Sequence, residues 1–251
     1  MRRDALREVW KKEENLALSG WDFSHIEGRL IEEKLPWDYR ARLKEFLKPY
    51  TRLLDMGTGG GEFLLSLKHP FHLTSVTEGF EPNYELCVKK LSPLGITVKK
   101  SVDGEPLPFE DESFDLVINR HEFYDISEVR RVLKKGGHFI TQQAGGENGK
   151  SLAQKVLPGY IREASDFNLE NQVPAFKKAG FKVVYRNQAY PVSRFTDIGA
   201  LCWYANKAQW EFPGFSVDDS FERLLTLQDE LKDKGGVLFQ EHRFIIVAKK
   251  I

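Results

Sequence analysis

The sequence predicts an α/β fold in which helices cover both faces of a parallel sheet. The first observation is the alternation of short apolar segments with amphipathic ones, joined by short connections, between residues 38 and 143. The second is a glycine-rich turn, residues 57–61, directly after an apolar segment. Strands that alternate with helices pair in parallel, and ligands then bind at the carboxyl ends of those strands.

The predicted elements follow in order along the chain. Residues 38–48 have helical spacing of apolar side chains, and Pro49 ends that helix. Pro82 suits the first turn of a later helix, and residues 134–137, Lys-Lys-Gly-Gly, predict a helix stop. We expect strands at 51–57, 71–78, 95–102, 113–120 and 138–143, and further helices at 62–69, 82–91 and 125–134.

Composition excludes several classes of protein. The 251 residues, 41% of them hydrophobic, can bury a full core, and the formal net charge of zero gives no global basic field. Charge is uneven, with net −6 over residues 51–125 and net +7 over residues 126–210. Two distant cysteines, Cys87 and Cys202, argue against a disulfide framework or a Cys-rich zinc site. The same two cysteines favour a reducing, cytoplasmic location. We expect no membrane partner, because no apolar run reaches about 18 residues and the N-terminal segment is charged.

The glycine turn does not match the common phosphate-binding motifs. Gly57 and Gly59 begin a G-x-G-x-x-G pattern, but Glu62 stands where its third glycine belongs, and no Gly-Lys-Ser/Thr follows. Asp55 and Glu62 would also repel a pyrophosphate. A ligand that carries both a carboxylate and an ammonium group, such as an amino acid headgroup, suits this turn better.

Residues 53–67, LLDMGTGGGEFLLSL, resemble the cofactor loop of the class I S-adenosylmethionine-dependent methyltransferases, in particular the type 11-like members. Similar blocks follow in SVDGEPLPFEDESFDLVINRHEF and EVRRVLKKGGHFITQQ, so the resemblance covers roughly residues 50–145. It implies a Rossmann-like, seven-stranded, mostly parallel sheet whose last strand is antiparallel. Residues 181–190 and 241–250 then supply strands six and seven.

The resemblance also implies a division of the chain. We expect an N-terminal helical cap at residues 1–48 and a methyltransferase domain at residues 49–251. Within that domain, residues 191–237 form an insertion between strands six and seven, which we interpret as a substrate cap.

The cofactor implied is S-adenosyl-L-methionine, with S-adenosyl-L-homocysteine as product. Glu78, 23 residues after Asp55, would bind the two ribose hydroxyls, and Asp103 would accept from the adenine amino group. The alternative for Glu78 is a surface carboxylate that caps a helix. The alternative for Asp103 is a residue that starts the turn at Gly104. The expected cofactor-binding residues are Tyr39, Asp55, Met56, Gly57, Thr58, Gly59, Gly61, Glu78, Gly79, Val102, Asp103, Gly104, Asn119 and Arg120.

His121, at the carboxyl end of strand four, is the candidate catalytic residue. It would accept a proton from the methyl acceptor, with Glu122 close enough in sequence to orient or charge it. The alternative is that His121 packs along the cofactor without a proton role. The other histidines show no spacing typical of metal ligands, so we expect no metal.

Aromatic residues outside the core segments are the candidate acceptor contacts. Trp21 and Trp37 precede the first strand, and Trp203 and Tyr204 lie in the insertion. They would form an aromatic cover and an apolar acceptor pocket. Packing of the N-terminal helix and of the insertion on itself explains them equally well.

The predicted function is methylation of a small organic acceptor at O, N or C. The Asn/Asp-Pro-Pro-Tyr/Phe motif typical of exocyclic amino methylation of bases is missing, because Arg120 and His121 follow Asn119. RNA methylation is the alternative, motivated by the net +7 of residues 126–210. A non-catalytic protein that binds S-adenosylmethionine is the second alternative.

Overall fold

The structure, a computed structural model, describes residues 2–18, 21–163 and 165–251. Its helices are α1 (Arg3–Glu14), α2 (Tyr39–Phe46), α3 (Glu62–Ser66), α4 (Glu81–Leu91), α5 (Ile126–Val132), α6 (Lys150–Val156), α7 (Leu169–Lys178), α8 (Ile198–Lys207) and α9 (Val217–Lys234). Its strands are β1 (Leu30–Ile31), β2 (Leu53–Met56), β3 (Thr74–Glu78), β4 (Thr97–Lys100), β5 (Phe114–Arg120), β6 (Leu133–Ala144), β7 (Phe181–Ala189), β8 (Val192–Phe195), β9 (Val237–Gln240) and β10 (Arg243–Lys250).

The chain divides into two compact units. The first, here called the sheet unit, comprises Pro36–Gly145, Asp166–Gln188 and Arg243–Ile251. The second, the helical unit, comprises Met1–Leu35, Gly146–Ser165 and Ala189–His242. The boundaries predicted from the sequence, and the role of residues 191–237 as a substrate cap, stay predictions.

The sheet unit contains seven strands of the described residues, in the order β4-β3-β2-β5-β6-β10-β7. β2 pairs in parallel with β3 and β5, β3 with β4, and β5 with β6. β10 pairs antiparallel with β6, for example Ile246 with Thr141. The predicted α/β class, with a mostly parallel seven-stranded sheet and an antiparallel last strand, is therefore confirmed.

Short polar side chains fix where the helices of the sheet unit begin. The carboxylate of Asp38 accepts from the backbone N–H of Ala41 (3.0 Å) at the start of α2, and Asp125 accepts from that of Ser127 (2.6 Å) at the start of α5. Such caps satisfy backbone donors that have no partner within the helix. Pro82 lies in the first turn of α4, as predicted.

Two local predictions were wrong. Residues 71–73 form a 3₁₀ turn, so β3 begins only at Thr74. Residues 134–137 do not end a helix. The backbone is already extended at Leu133, where β6 begins opposite Phe114. Gly136, at φ +82°, lies within β6, and the register between β5 and β6 shifts between Phe114 and Leu116.

The helical unit has its own small antiparallel sheet, β1-β8-β9, and its own apolar core. Trp203, Phe195 and Phe212 are fully buried in that core. The guanidinium of Arg29 pairs with Asp197 (2.6 Å) and Glu13 (3.2 Å), and Asp197 also caps α8 by accepting from Ala200 N–H (2.8 Å). No helix in the described ranges combines the length and apolarity that crossing a bilayer requires.

We expect Phe139→Ala to destabilise the protein by about 3–5 kcal/mol, because a fully buried ring in the core of the sheet unit would leave a cavity. Phe71→Ala is the matched control, since Phe71 is partly exposed and should cost less than about 1 kcal/mol. Urea unfolding of both variants measures the difference. Equal losses would show that Phe139 does not lie in the core.

Candidate active site

The glycine turn after β2 is built from left-handed backbone conformations. Gly57, Gly59 and Gly61 have φ values of +65°, +60° and +77°. Residues with a Cβ adopt such backbone angles only at a cost in free energy. The backbone N–H groups of Gly57 and Thr58 both donate to the carbonyl of Thr77, at 3.0 and 3.1 Å. These bonds attach the turn to the neighbouring strand β3.

Glu78, the last residue of β3, holds the turn from the other side. Its Oε2 accepts from the N–H of Gly59 (2.8 Å), and its Oε1 accepts from those of Gly79 (3.1 Å) and Phe80 (3.0 Å). The side chain is buried, so it is not a carboxylate on the protein surface. Burial raises the pKa of Glu78, although the three hydrogen bonds oppose that rise.

Two further carboxylates lie at the same turn. Asp55 is buried, and burial raises its pKa to about 7, with a further contribution from Glu78 and opposition from the hydroxyl of Thr58, which donates to it at 2.8 Å. The side chain of Glu122 lies so close to Gly57 that an added Cβ there would collide with it. Burial, together with the charges of Glu78 and Asp103, raises the pKa of Glu122 to about 7.

A cleft opens at the carboxyl ends of β2, β3, β4 and β5. The predicted residues that line it are Met56, Gly57, Gly79, Val102, Asp103, Gly104 and Glu122. Sequence reasoning missed Thr77, Ser101, Leu107 and Phe123, which line it too. Leu107 stands in the Leu-Pro-Phe segment, and Phe123 directly follows Glu122. Both lie inside a segment that resembles the methyltransferase family, and this position could have indicated them.

Asp103 lies in a tight turn at the edge of the cleft. The N–H of Glu105 donates to the carbonyl of Val102 (3.1 Å), and Gly104 has φ +82°, so Asp103 lies inside a tight turn. The same turn lines the cleft. Its contact with an adenine stays a prediction.

Tyr39 and Asn119 are brought together, and their polar groups already have protein partners. The phenol of Tyr39 is buried and donates to the carbonyl of Asn119 (3.1 Å), and burial raises its pKa. Asn119 Oδ1 accepts from the Thr141 hydroxyl at 3.0 Å. The guanidinium of Arg120 lies 4.6 Å from the centre of the Phe63 ring and lowers the pKa of Asp55 by its charge.

His121 has a left-handed backbone, with φ +61°, and its N–H donates to the carbonyl of Gln142 (2.9 Å). The residue is exposed, yet the surrounding protein atoms and the charges of Arg243 and Arg120 lower the pKa of its imidazole below the usual range. The ring is therefore neutral at pH 7. In the described ranges no hydrogen bond or ion pair joins Glu122 to His121, and the role of Glu122 in orienting or charging His121 stays a prediction.

The predicted acceptor residues lie in different units. Trp37, in the sheet unit, is buried, and its indole N–H donates to Gln142 Oε1 (2.8 Å). In the helical unit Trp203 is fully buried, Tyr204 packs on Phe195 with ring centres 5.5 Å apart, and Trp21 is 46% exposed. Their contact with an acceptor stays a prediction.

Asn83, in the first turns of α4, is a polar residue that sequence reasoning missed. It is buried, and within the described ranges neither atom of its side-chain amide has a hydrogen-bond partner. Leaving such a group unpaired costs about 1–3 kcal/mol. The asparagine after Pro82 was the available signal, but sequence alone does not show its burial.

Across residues 2–18, 21–163 and 165–251, no group of three or more His, Cys, Asp or Glu side chains is arranged to hold a metal ion. The donors present are instead buried carboxylates and backbone N–H groups. Burial is the largest cause that raises the pKa values of Asp55, Glu78 and Glu122, so the surrounding protein compensates their charged forms poorly. That donor set fits a ligand with hydroxyl groups and positive charge.

Comparison with known proteins agrees with this geometry. Residues 54–141 match the family model described as "Methyltransferase domain". The Mycobacterium leprae phthiotriol/phenolphthiotriol dimycocerosates methyltransferase is 36% identical over 182 residues, which cover 61% of this chain and 67% of that protein. The Mycobacterium tuberculosis protein of that name is 35% identical over 88 residues, 32% of either chain, so the match spans about a third of that relative's length.

The solved structure of the YcgJ protein from Bacillus subtilis superposes with a TM-score of 0.57 at 19% identity, covering 84% of this chain and 97% of that one. At this identity the likeness shows the fold alone. Taken with the sequence matches, it agrees with the family expected from residues 50–145. The chain belongs to the class I S-adenosylmethionine-dependent methyltransferases.

We expect Asp55→Asn to stabilise the protein at pH 8 by about 1–3 kcal/mol and to leave its stability at pH 4 unchanged. Folding raises the pKa of the Asp55 carboxyl from 3.8 to about 7. Between about pH 4 and pH 7 the folded protein therefore keeps a proton on Asp55 that the unfolded chain has already released. Asp55 therefore lowers the stability progressively as the pH rises through that window. Thermal and urea unfolding from pH 4 to pH 8 measure the effect.

Glu85→Gln, on the exposed face of α4, is the control and should not change the shape of the pH curve. If Asp55→Asn and wild type lose stability in parallel as the pH rises, Asp55 is not the buried, proton-retaining group described here.

Proposed function

We propose that this protein transfers the methyl group of S-adenosylmethionine to a small organic acceptor at an oxygen, nitrogen or carbon atom. The observation that carries the proposal is the glycine turn with the buried carboxylates of Asp55 and Glu78 and the partly buried carboxylate of Glu122, at the carboxyl end of a parallel sheet. Family membership supports the same reaction class.

The residues of the turn are suited to hold that cofactor. When bound, S-adenosylmethionine supplies an electrophilic sulfonium methyl group. Glu78 would bind the ribose hydroxyls, Asp103 the adenine amino group, and Asp55 the ammonium of the amino acid moiety. Glu122 contributes negative charge next to Gly57, which favours a cationic ligand over a neutral one.

The chain supplies positioning rather than a strong base. His121 is neutral but of lowered basicity, and transfer to an already nucleophilic atom needs no proton acceptor. Binding the two reactants in line and excluding water can account for most of the acceleration. The cytoplasmic location stays a prediction.

Product formation from methyl-labelled S-adenosylmethionine tests the reaction. A panel of phenols, amines and carbon acids is offered as acceptors, and the release of S-adenosylhomocysteine is measured with and without each. Methyl transfer to at least one small acceptor supports the proposal. Cofactor binding with no product from any acceptor would favour the non-catalytic alternative, and product from transcribed RNA alone would favour the RNA alternative.

Glu78→Gln should weaken binding of S-adenosylhomocysteine by about tenfold or more, equal to at least 1.4 kcal/mol, because the amide replaces one of two acceptor oxygens. The carboxylate already fixes the backbone of Gly59, Gly79 and Phe80, so the turn would be loosened as well. Calorimetric titration measures the change, with Glu85→Gln as a matched exposed control. A loss below about twofold would mean that Glu78 does not contact the cofactor.

His121→Asn should leave the pH dependence of the single-turnover rate unchanged in shape between pH 5 and pH 8. The histidine does not titrate in that range because its pKa is lowered, and asparagine tolerates the φ of +61°. Glu122→Gln, in contrast, should remove or shift an inflection near pH 7. If the inflection disappears in His121→Asn and persists in Glu122→Gln, His121 is the proton acceptor.

A further inference from the structure

A second concave surface of the sheet unit is not explained by methyl transfer. It is a groove of about 850 Å³ along β6, β7 and β10, beside α2. None of its lining residues also lines the cleft at the glycine turn. The groove is therefore a separate candidate binding site.

Three lysines without carboxylate partners face this groove. Lys135, Lys182 and Lys249 line it and are exposed, and within the described ranges none of them forms an ion pair. Lys249 lies close to Gly136, the residue that follows Lys135: its Cε atom is 3.9 Å from the position that a Cβ on Gly136 would take. Lys249 also pairs with His138 across the β6–β10 ladder. Burial lowers the pKa of the His138 imidazole, and the charge of Lys249 lowers it further.

The remaining charges of the groove do not offset these lysines. Glu45, the single carboxylate side chain among the described lining residues, pairs with Arg42 at 3.0 Å. Lys250 is buried, and it donates to the carbonyl of Leu133 (2.6 Å) and pairs with Glu112 (3.3 Å). The groove therefore carries an excess of positive charge from its three exposed lysines.

A structural explanation accounts for only one of these lysines. β7 is an edge strand, and lysine on an edge strand commonly prevents pairing with another chain. That explains Lys182. Lys249 and Lys135 belong to the interior strands β10 and β6, where no free edge needs protection.

Flat and apolar groups form the rest of the lining. The rings of Phe46 and His138 lie 4.4 Å apart between centres, and the guanidinium of Arg42 lies 3.9 Å from the centre of the Tyr185 ring. Val184, on β7, is exposed in the groove. The groove volume lies within the range of about 300–1,000 Å³ that is typical of sites for small ligands. Charged side chains stand beside these aromatic and apolar groups, which suits a ligand with both a charged and a planar part.

We propose that this groove binds a phosphorylated small molecule that carries a planar ring, of the size of a nucleotide. The lysines bind the phosphate oxygens, and the ring lies against the aromatic and apolar surface. The site does not depend on the methyl-transfer function.

Calorimetric titration with ADP tests the proposal, in the presence of saturating S-adenosylhomocysteine so that the cleft at the glycine turn is blocked. Wild type should bind ADP, and added salt should weaken binding. The double variant Lys182→Glu with Lys249→Glu should bind at least about tenfold more weakly, and the corresponding double alanine variant should show an intermediate loss. Lys178→Glu, an exposed lysine of α7 outside the groove, is the control and should change affinity by less than about twofold.

Adenosine and pyrophosphate should each bind more weakly than ADP. Four results would overturn the proposal: no ADP binding by folded wild type, ADP affinity unaffected by the groove variants, pyrophosphate bound as tightly as ADP, or a groove-dependent affinity for single-stranded RNA without affinity for ADP. Thermal unfolding of each variant shows whether it is folded before its affinity is interpreted.

Discussion

The carboxylate of Glu78 is the interaction on which the carboxyl edge of the sheet depends. It accepts hydrogen bonds from Gly59 in the turn after β2 and from Gly79 and Phe80 in the loop after β3. A buried carboxylate is unfavourable unless such bonds compensate its lost hydration. One side chain thereby fixes the backbone of two loops, and the cleft lies beside both of them.

The neighbouring carboxylates are held at an electrostatic cost. Burial raises the pKa values of Asp55 and Glu122 to about 7, and the charge of Glu78 contributes to each rise. Protein sites that are destabilised in this way commonly serve function, since stability and activity trade off. A bound cation would reverse the sign of the local electrostatics, and S-adenosylmethionine carries a sulfonium and an ammonium group.

Much of the sheet unit could be predicted from sequence because its signals are local. The apolar run before the turn, the glycines at 57, 59 and 61 and the proline of α4 each constrain the backbone directly. The start of β6 at Leu133 could not be predicted in this way, because pairing with Phe114 overrides the local glycine signal.

The same limit applies within the site. The contact of Glu122 with Gly57 and the burial of Asn83 arise from residues far apart in the sequence. The groove with the three exposed lysines likewise joins residues from α2, β6, β7 and β10, which lie far apart in the sequence. The predicted roles of Trp21, Trp203 and Tyr204 depend on an acceptor, and packing in the helical unit already accounts for the burial of Trp203.

The central claim is that the carboxylates beside the glycine turn are arranged for a cationic cofactor. Calorimetry at pH 7 in buffers of different ionisation enthalpy tests it most directly, because it counts the protons released on binding. We predict binding of S-adenosylmethionine with net proton release, and a smaller release for S-adenosylhomocysteine, which lacks the sulfonium charge. Failure to bind either molecule, or equal proton release for both, would contradict this role of Asp55 and Glu122.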